Sequence, residues 1–348
     1  MDAISNILPT LVEQLQKPTL AFLLGGMLLA ALGSKLEVPK PVYQFIVIVL
    51  LLKVGIGAGI SLREAELSDI ILPALAAAGL GVGIVLLGAL TLAKMRGVSP
   101  MDAMAAAGLF GAVSASTLAV GMAMLEEEGI AYEGYVGALY PFMDVAALLT
   151  AILLARMAAE RQSANLPSAG GTVTMGGGSG GELGMGEVKS ILVDTLRSPA
   201  ISALLLGLGI GIYAAPVSLY ESFYDQLFRG FLSLLMLTMG MEAWSRLSEL
   251  RKVAHVYVLY AVTAPLIHGL MGFGAGMVLN ELMGFSAGGV VLLAVLAASS
   301  SDISGPPTLR AALPEANPSA YVAPSTGLGT PVAILLIPLW IAMVEALI

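Results

Sequence analysis

One stretch of the chain combines a carboxylate with four serines inside sequence that otherwise suits lipid. Residues 297–307 read AASSSDISGPP and follow an apolar run at residues 288–296. Pro306 and Pro307 have no backbone N–H, and a proline disfavours helical geometry at the residue before it. We therefore expect the helix to break here, which membrane proteins tolerate only where the chain is buried or lines a water-filled cavity. An ionisable residue in such a place indicates a functional site, and we expect Asp302 to neutralise a cation.

A second stretch has the same character. Residues 108–117 read GLFGAVSAST, with small residues and hydroxyls in the middle of an apolar segment. If the two breaks meet, helix N-terminal amides would face an anion and freed carbonyls would face a cation. Neither stretch contains Lys or Arg, which favours a small anion held by hydroxyls and helix ends. The alternative is that Ser114 and Ser116 serve only close helix packing. The candidate substrate-binding residues are Ser114, Ser116, Thr117, Ser299, Ser300, Ser301, Ser304 and Gly305.

Asp144 is the second carboxylate within an apolar segment. Pro141 lies three residues before it and frees a backbone carbonyl, so a cation site could combine that oxygen with the carboxylate. The candidate cation ligands are thus Asp302, Asp144 and the Ser301 hydroxyl. A protonated or helix-capping Asp144 is the alternative. Glu242 is explained more simply by an i,i+4 pair with Arg246.

The composition places these residues in a membrane. The chain has 348 residues, of which 57% are hydrophobic and 11% charged, whereas soluble proteins carry about 25% charged residues. It contains no cysteine, which excludes disulfides and thiol catalysis, and its two histidines cannot form a zinc site by themselves. The net charge is −8 and basic clusters are missing, so nucleic acid is not an expected partner.

A span needs about 20 mainly apolar residues, and on that test we predict ten. They lie near residues 18–33, 43–60, 70–92, 100–125, 135–157, 199–214, 228–244, 256–279, 287–303 and 327–348. Residues 160–190 are rich in Gly and Ser, which is typical of a flexible linker. This linker separates a first five-helix repeat, residues 1–159, from a second, residues 191–348.

The two halves resemble each other. PTLAFLLGG from Pro18 is echoed by PAISALLLG from Pro199, and Arg63 aligns with Arg246. Because five is odd, the second repeat must cross the membrane in the opposite direction, as in many secondary transporters. We predict an all-α integral membrane protein with about ten transmembrane helices in two inverted repeats, with broken helices crossing at the midplane. Most basic residues fall on the side of the linker, which predicts a cytoplasmic linker and both termini outside.

Four stretches resemble the cyanobacterial-type sodium-dependent bicarbonate transporters. They are residues 108–117, residues 137–144 (GALYPFMD), residues 239–246 (MGMEAWSR), and residues 297–307 running into Thr308-Leu309-Arg310. The resemblance covers nearly the whole chain outside the linker.

The resemblance implies a homotrimer in the plasma membrane that takes up bicarbonate with sodium, as part of a carbon-concentrating mechanism. It implies no cofactor beyond sodium as the coupling ion, and a cytosolic regulator similar to the PII nucleotide-sensing proteins. The family's substrate and sodium positions would carry over onto Ser114, Ser116, Thr117, Ser300, Ser301 and Asp302, and onto Asp144.

Other functions remain to be weighed. A symporter of another small oxyanion, a carboxylate or sulfate, could use the same plan. An intramembrane serine hydrolase would need a base beside Ser114 or Ser300, and His268 is the one histidine inside a predicted span. A structural or receptor role would need neither anion nor cation at these residues. We expect a transporter rather than an enzyme.

Overall fold

A computed structural model of the chain describes residues 18–64, 67–164, 185–250 and 255–348. These residues form helices joined by turns, and no β-strand occurs among them, which agrees with the predicted all-α class. The greater part of the predicted linker lies outside the described residues.

We number the α-helices in chain order. They are α1 (Pro18–Ala31), α2 (Lys40–Glu64), α3 (Leu67–Leu90), α4 (Pro100–Gly111), α5 (Ala115–Glu128), α6 (Tyr140–Ala164), α7 (Met185–Leu196), α8 (Pro199–Ala214), α9 (Gln226–Leu250), α10 (His255–Met283), α11 (Ala287–Ala298), α12 (Gly305–Ala312), α13 (Pro318–Pro324), α14 (Thr330–Leu335) and α15 (Ile337–Leu347). A 3-10 segment (Gly134–Leu139) precedes α6, and π-helical segments precede α9 (Tyr220–Asp225) and α14 (Ser325–Gly329).

Six helical stretches in the described part of the chain are long and apolar enough to cross a membrane. They are Lys40–Arg63, Asp69–Lys94, Pro100–Glu128, Gly134–Ala159, His255–Met283 and Pro318–Leu347. Three shorter apolar helices, α1, α8 and α11, accompany them. Several predicted spans are thus confirmed as long apolar helices, whereas the number ten stays a prediction.

The helices form two groups that we call the first and second bundles. The first bundle contains α1, α2, α8 and α9, in which α1 packs on α9 and α2 packs on α8. The second bundle contains α3 to α6 and α10 to α15. Glycines allow the close crossings of the first bundle: a Cβ on Gly240 would lie 2.9 Å from the Met27 nitrogen, and one on Gly207 would lie 2.8 Å from the Leu52 carbonyl oxygen.

Two helices of the second bundle are interrupted where the sequence predicts. Residues 112–114 separate α4 from α5, and residues 299–304 separate α11 from α12. The predicted helix through residue 303 is wrong after Ala298, because Ser299 is already extended (φ −69°, ψ 168°) and its hydroxyl donates to the Leu296 carbonyl at 2.8 Å. Pro306 then lies in the first turn of α12, where its missing N–H costs nothing.

Candidate functional site

The two breaks meet and complete each other's hydrogen bonding. The amide of Ser301 donates to the Leu109 carbonyl at 2.8 Å, and the amide of Ser114 donates to the Ser299 hydroxyl at 3.1 Å. Buried backbone groups need such partners, since an unpaired one costs about 1–3 kcal/mol. The interrupted backbone is therefore stable here, because each break supplies a hydrogen-bond acceptor for an amide of the other.

Asp302 is bound by the hydroxyls at the start of α5. Ser116 donates to its Oδ2 at 2.8 Å, and Ser114 approaches the same oxygen at 3.4 Å. The two hydroxyls are themselves 2.8 Å apart, and Ser114 caps α5 by accepting from the Thr117 amide at 3.2 Å. The positive end of the α5 dipole faces this carboxylate and stabilises its charged form.

The two helix N-termini at the site differ as anion sites. In α5 the first-turn amides of Ala115 and Ser116 have no partner within a regular helix. In α12 the Gly305 amide already donates to the Ser301 hydroxyl at 2.8 Å, and the next two residues are prolines without an N–H. Amides for an anion are thus available at the start of α5 and not at the start of α12, although the sequence pattern predicted both ends.

Asp144 lies in a second, fully buried cluster. Its Oδ1 accepts from the Val113 amide and its Oδ2 from the Ser304 hydroxyl, each at 3.0 Å. Ser304 also lies 3.0 Å from the Ser301 hydroxyl and 3.2 Å from the hydroxyl of Tyr140. Asp144 therefore joins the first break to the second, and its two oxygens already accept protein donors.

The other predicted substrate residues have different surroundings. The Ser299 hydroxyl accepts from the Ser114 amide and donates to the Leu296 carbonyl, so it already has protein partners for both functions. Ser300 contacts the segment before α14: its hydroxyl donates to the Ser325 carbonyl at 3.2 Å and lies 3.1 Å from the Thr330 hydroxyl. Thr117 is fully buried, and its hydroxyl has no hydrogen-bond partner in the part of the chain described. A buried hydroxyl without a partner is costly, so Thr117 is the residue of this set best placed to receive a ligand.

A cavity of about 560 Å³ leads to Asp302 from the surface. It lies between the bundles, with α2 and α9 on one side and α12, α13 and α14 on the other. Its wall carries three basic and two acidic side chains, namely Lys40, Arg246, Arg310, Glu242 and Asp302. The volume is typical of ligand sites and far exceeds one small anion, so the cavity is a vestibule to the site.

Sequence reasoning missed several residues of this region. Arg246 was explained by its pair with Glu242, and that pair is confirmed, with the Arg246 Nε 2.9 Å from Glu242 Oε1. Its place on the vestibule wall, and that of Arg310, could not be read from the motifs. Thr330 could have been found, because Ser325-Thr326-Gly327-Leu328-Gly329-Thr330-Pro331 mixes hydroxyls, Gly and Pro as the two breaks do.

A cation here would have to use hydroxyl and carbonyl oxygens beside a carboxylate. Among the described residues, no group of three or more His, Asp, Glu or Cys side chains could hold a metal ion. His268, the base that a serine hydrolase would need, is buried against Phe110 and Tyr260, and its Nδ1 has no partner among the residues described. No hydrogen bond in the described structure joins it to Ser114 or Ser300.

The apolar helices and the paired breaks define a multi-pass membrane protein with a polar site at the junction of interrupted helices. A family model for the Na+-dependent bicarbonate transporter superfamily matches residues 18–345. This is nearly the whole chain, and the chain belongs to that superfamily. The resemblance seen in the sequence is thereby confirmed. A comparison with curated proteins finds no match.

Proposed function

We propose that the chain is a secondary active symporter that takes up bicarbonate together with sodium by alternating access. The superfamily supplies the substrate and the coupling ion. The observation that carries the mechanism is the position of Asp302, at the meeting point of two interrupted helices and at the inner end of a vestibule.

Sodium would bind first, beside Asp302. The carboxylate occupies the positive end of α5, where an anion would also bind, and two adjacent negative charges repel each other. A sodium ion on Asp302 and nearby hydroxyl oxygens neutralises the carboxylate. With sodium as the partner of the carboxylate, the Ser114 and Ser116 hydroxyls can turn their protons towards bicarbonate. Bicarbonate then accepts from these two hydroxyls, from the Thr117 hydroxyl and from the first amides of α5. In this order of binding, bicarbonate affinity depends on sodium, which is the coupling that a symporter requires.

Ser301, Ser304 and Asp144 would support a second cation position or hold the breaks in register. They lie in the buried cluster rather than on the vestibule, so an ion would reach them only through the first cluster. A one-to-one cycle would carry no net charge and would use only the sodium concentration gradient, about 1.4 kcal/mol per tenfold. Each further sodium would add about 2.3 kcal/mol per 100 mV of membrane potential.

Two inverted repeats of five spans would account for the reciprocal packing of the first bundle. The first helix of each proposed repeat, α1 or α8, packs on the second helix of the other repeat, α9 or α2. With a cytoplasmic linker and external termini, the vestibule beside Lys40 and Arg246 opens to the cytoplasm. The described conformation would then be the inward-facing state, and rocking of the bundles would expose Asp302 to the other side.

Three further properties are proposed on the resemblance alone. They are a homotrimeric assembly, a place in the plasma membrane in a carbon-concentrating mechanism, and control by a cytosolic PII-like, nucleotide-sensing regulator. Sodium serves as the coupling ion, and we propose no other cofactor.

A symporter of another small oxyanion is the second candidate, and one observation favours it. The absence of Lys and Arg from the two motifs argues against a dianion, but Arg246 and Arg310 line the vestibule and could bind one. Sulfate and a small carboxylate therefore belong in the test beside bicarbonate.

The test is uptake of labelled bicarbonate into proteoliposomes under an inward sodium gradient, with matched potassium as the control. Wild type is compared with Asp302→Asn and Ser301→Ala, and with sulfate and acetate as alternative substrates. We expect sodium-dependent bicarbonate uptake in wild type and its loss in Asp302→Asn. Clamping the membrane potential then separates the stoichiometries, since one additional sodium would change the limiting accumulation by about 50-fold per 100 mV.

Equal uptake in potassium, or uptake untouched by Asp302→Asn, would contradict the cation site at Asp302. Sodium-dependent uptake of sulfate or acetate in preference to bicarbonate would select the second candidate.

A further inference from the structure

A buried ammonium lies near the middle of α2, on the side of the site away from the vestibule. Lys53 on α2 is 4% exposed, and its Nζ lies 2.9 Å from Glu126 Oε1 and 3.5 Å from Asp225 Oδ1. The same nitrogen lies 3.9 Å from the centre of the Phe228 ring, a cation–π contact. Tyr132 donates to Glu126 Oε1 at 2.9 Å. Burial, and then the Glu126 carboxylate, raise the pKa of the Tyr132 hydroxyl, so it keeps the proton that it donates.

These contacts join the two bundles. Lys53 lies on α2, and Phe228 lies on α9, both in the first bundle, whereas Glu126 is in the last turn of α5 in the second bundle. A second contact between the bundles is a hydrogen bond, in which the Thr19 hydroxyl of α1 approaches Glu127 Oε1 at 3.4 Å. Two successive glutamates of α5 thus contact helices of the opposite bundle.

Helices α2 and α5 each contribute residues both to the vestibule or the Asp302 site and to the Lys53 cluster. On α2, Tyr43 lines the vestibule, and Lys53 lies ten residues further along, about 15 Å at 1.5 Å per residue. On α5, Ser116 binds Asp302, and Glu126 again lies ten residues further along, about 15 Å away. The site is therefore open to the vestibule at one end, whereas the residues of α5 that lead from it to Glu126, Leu118 to Leu125, are buried.

We propose that Lys53, Glu126 and Asp225 form an ionic latch that holds the outer end of the transport path closed, and that must separate before the site can open outward. This inference rests on the proposed alternating-access function. When the bundles part, water reaches Lys53, so the latch exchanges a buried ammonium paired with partly exposed carboxylates for fully hydrated ions. The free energy of the paired charges is close to that of the hydrated ions, because the cost of removing charge from water offsets most of the attraction. The latch can therefore hold the closed state without making it permanent.

Removal of one charged partner should favour the outward-open state more than removal of both partners. Glu126→Gln leaves the buried Lys53 ammonium with only the exposed Asp225 carboxylate, 3.5 Å away, in the closed state. Lys53→Met leaves Glu126 beside Asp225 without the cation between them, and both variants have hydrated charges in the open state. Lys53→Met or Glu126→Gln should therefore favour the outward-open state. The double variant buries no unpaired charge between these two positions and should return towards wild type.

The chain has no cysteine, so a single reporter cysteine can be introduced without a background. Met122 is 5% exposed and lies one turn inward of Glu126 on α5, beneath the latch. The measurement is the rate at which Met122→Cys reacts with a membrane-impermeant maleimide added from outside. It is made in the wild-type background, in Lys53→Met, in Glu126→Gln, in the double variant, and in Arg229→Met. The last removes an exposed basic residue from the same end and serves as the control.

We expect labelling to rise at least fivefold in each single variant, to fall back in the double variant, and to stay unchanged in Arg229→Met. Unchanged labelling in the single variants would overturn the latch, and so would effects that simply add in the double variant. The readout needs neither bicarbonate nor sodium flux, so a failure of the proposed substrate would leave this result interpretable.

A cross-link tests the same end of the path without removing any charge. A Cβ on Gly137, in the 3-10 segment that precedes α6, would lie 2.5 Å from Cγ1 of Val54, the residue that follows Lys53 on α2. The pair Val54→Cys and Gly137→Cys should form a disulfide with copper phenanthroline. We expect transport to stop on oxidation and to return with dithiothreitol, which also shows that the variant is folded. Transport that continues with the cross-link complete would overturn the proposal.

Discussion

Asp302 and Asp144 both lie beside serines, but Asp302 is half-buried whereas Asp144 is fully buried. Asp302 accepts from hydroxyls and lines the vestibule, so an ion can approach it from water. Asp144 is fully enclosed, and each of its oxygens accepts one protein donor. These surroundings favour an ion-binding role for Asp302 and a positioning role for Asp144.

Ser116→Ala should weaken sodium binding without changing the fold. The substitution removes a hydroxyl oxygen that lies 2.8 Å from Asp302 Oδ2 and is placed to bind a sodium ion together with the carboxylate. The interaction of a hydroxyl with a charged group contributes about 1.5–3 kcal/mol. We expect the sodium concentration for half-maximal uptake to rise about tenfold or more. Ser233→Ala is the control, since that hydroxyl donates to the Gly230 carbonyl of its own helix. An unchanged sodium dependence in Ser116→Ala would argue against sodium binding at Asp302.

Asp144→Asn should destabilise the protein even without sodium. An asparagine keeps one acceptor oxygen and turns an amide N–H₂ towards a group that Asp144 accepted from. We expect a loss of about 1–3 kcal/mol in stability, measured by thermal unfolding in detergent without sodium. Asp302→Asn, beside the vestibule, should unfold close to the wild-type temperature. If instead Asp144→Asn were as stable as wild type and changed only sodium affinity, Asp144 would be an ion ligand rather than a positioning residue.

The residue types of the site were readable from the sequence, but their pairing was not. Ser114, Ser116 and Asp302 were predicted to act together, and they do lie within hydrogen-bonding distance. In the structure Ser300 is hydrogen-bonded to Ser325 and Thr330, whereas Ser301 is hydrogen-bonded to Ser304. These partners depend on the direction of each side chain in an extended segment. Sequence spacing cannot give that direction, because no regular helix or strand sets its period there.

At the scale of helices, glycines determine how closely the first bundle packs. Gly26 and Gly240 lie at the crossing of α1 with α9, and Gly55 and Gly207 at the crossing of α2 with α8. In each case a Cβ would meet backbone of the opposite helix, which cannot move aside as a side chain can. Such crossings are typical of membrane helices, whose association depends on close packing rather than on the hydrophobic effect.

Gly240→Ala should therefore be far more disruptive than alanine at a neighbouring glycine. Its Cβ would contact the Leu23 carbonyl oxygen and lie 2.9 Å from the Met27 nitrogen. Overpacking of this kind costs about 1–3 kcal/mol or more. Gly25→Ala and Gly230→Ala are matched controls, because no atom lies within 4 Å of either added Cβ. We expect a lower unfolding temperature in Gly240→Ala alone. Equal stability in all three variants would contradict the close packing of α1 on α9.

Helix positions were predicted well wherever a single apolar run begins at a proline or a cap. The starts of α1, α4 and α8 agree with the predicted residues Pro18, Pro100 and Pro199. The last predicted helix, residues 327–348, is less accurate, because the structure begins it at Pro318 and interrupts it with the π-helical segment Ser325–Gly329. Gly327 and Gly329 in that segment approach Arg246 and Phe110, contacts that exist only in the folded protein.

At the scale of the whole molecule, the vestibule and the latch occupy opposite ends of one interface between bundles. The vestibule has three basic and two acidic side chains, whereas the latch end has two basic residues, Lys53 and Arg229, and three acidic ones, Glu126, Glu127 and Asp225. This difference agrees with the positive-inside rule if the vestibule faces the cytoplasm. The compartment that the vestibule faces thus depends on the directions in which α1 and α8 cross the membrane.

Single cysteines test that orientation directly. Ser34 is exposed just after α1, and Ser218 is exposed just after α8. If the repeats are inverted, α1 runs inward and α8 runs outward, so these two sites lie on opposite sides of the membrane. We expect an impermeant maleimide to label Ser218→Cys in intact cells, and to label Ser34→Cys only after permeabilisation. The cysteine-free wild type gives the background for both measurements.

Labelling of both sites from the same side would contradict inversion of the repeats, since equivalent helix ends would then face one compartment. Labelling of Ser34→Cys alone in intact cells would keep the inversion and reverse the orientation. The vestibule would then open outward, Asp302 would be reached by external sodium in the described conformation, and Lys53 would close the cytoplasmic end instead. The same two variants therefore decide both the repeat relation and the compartment that the vestibule faces.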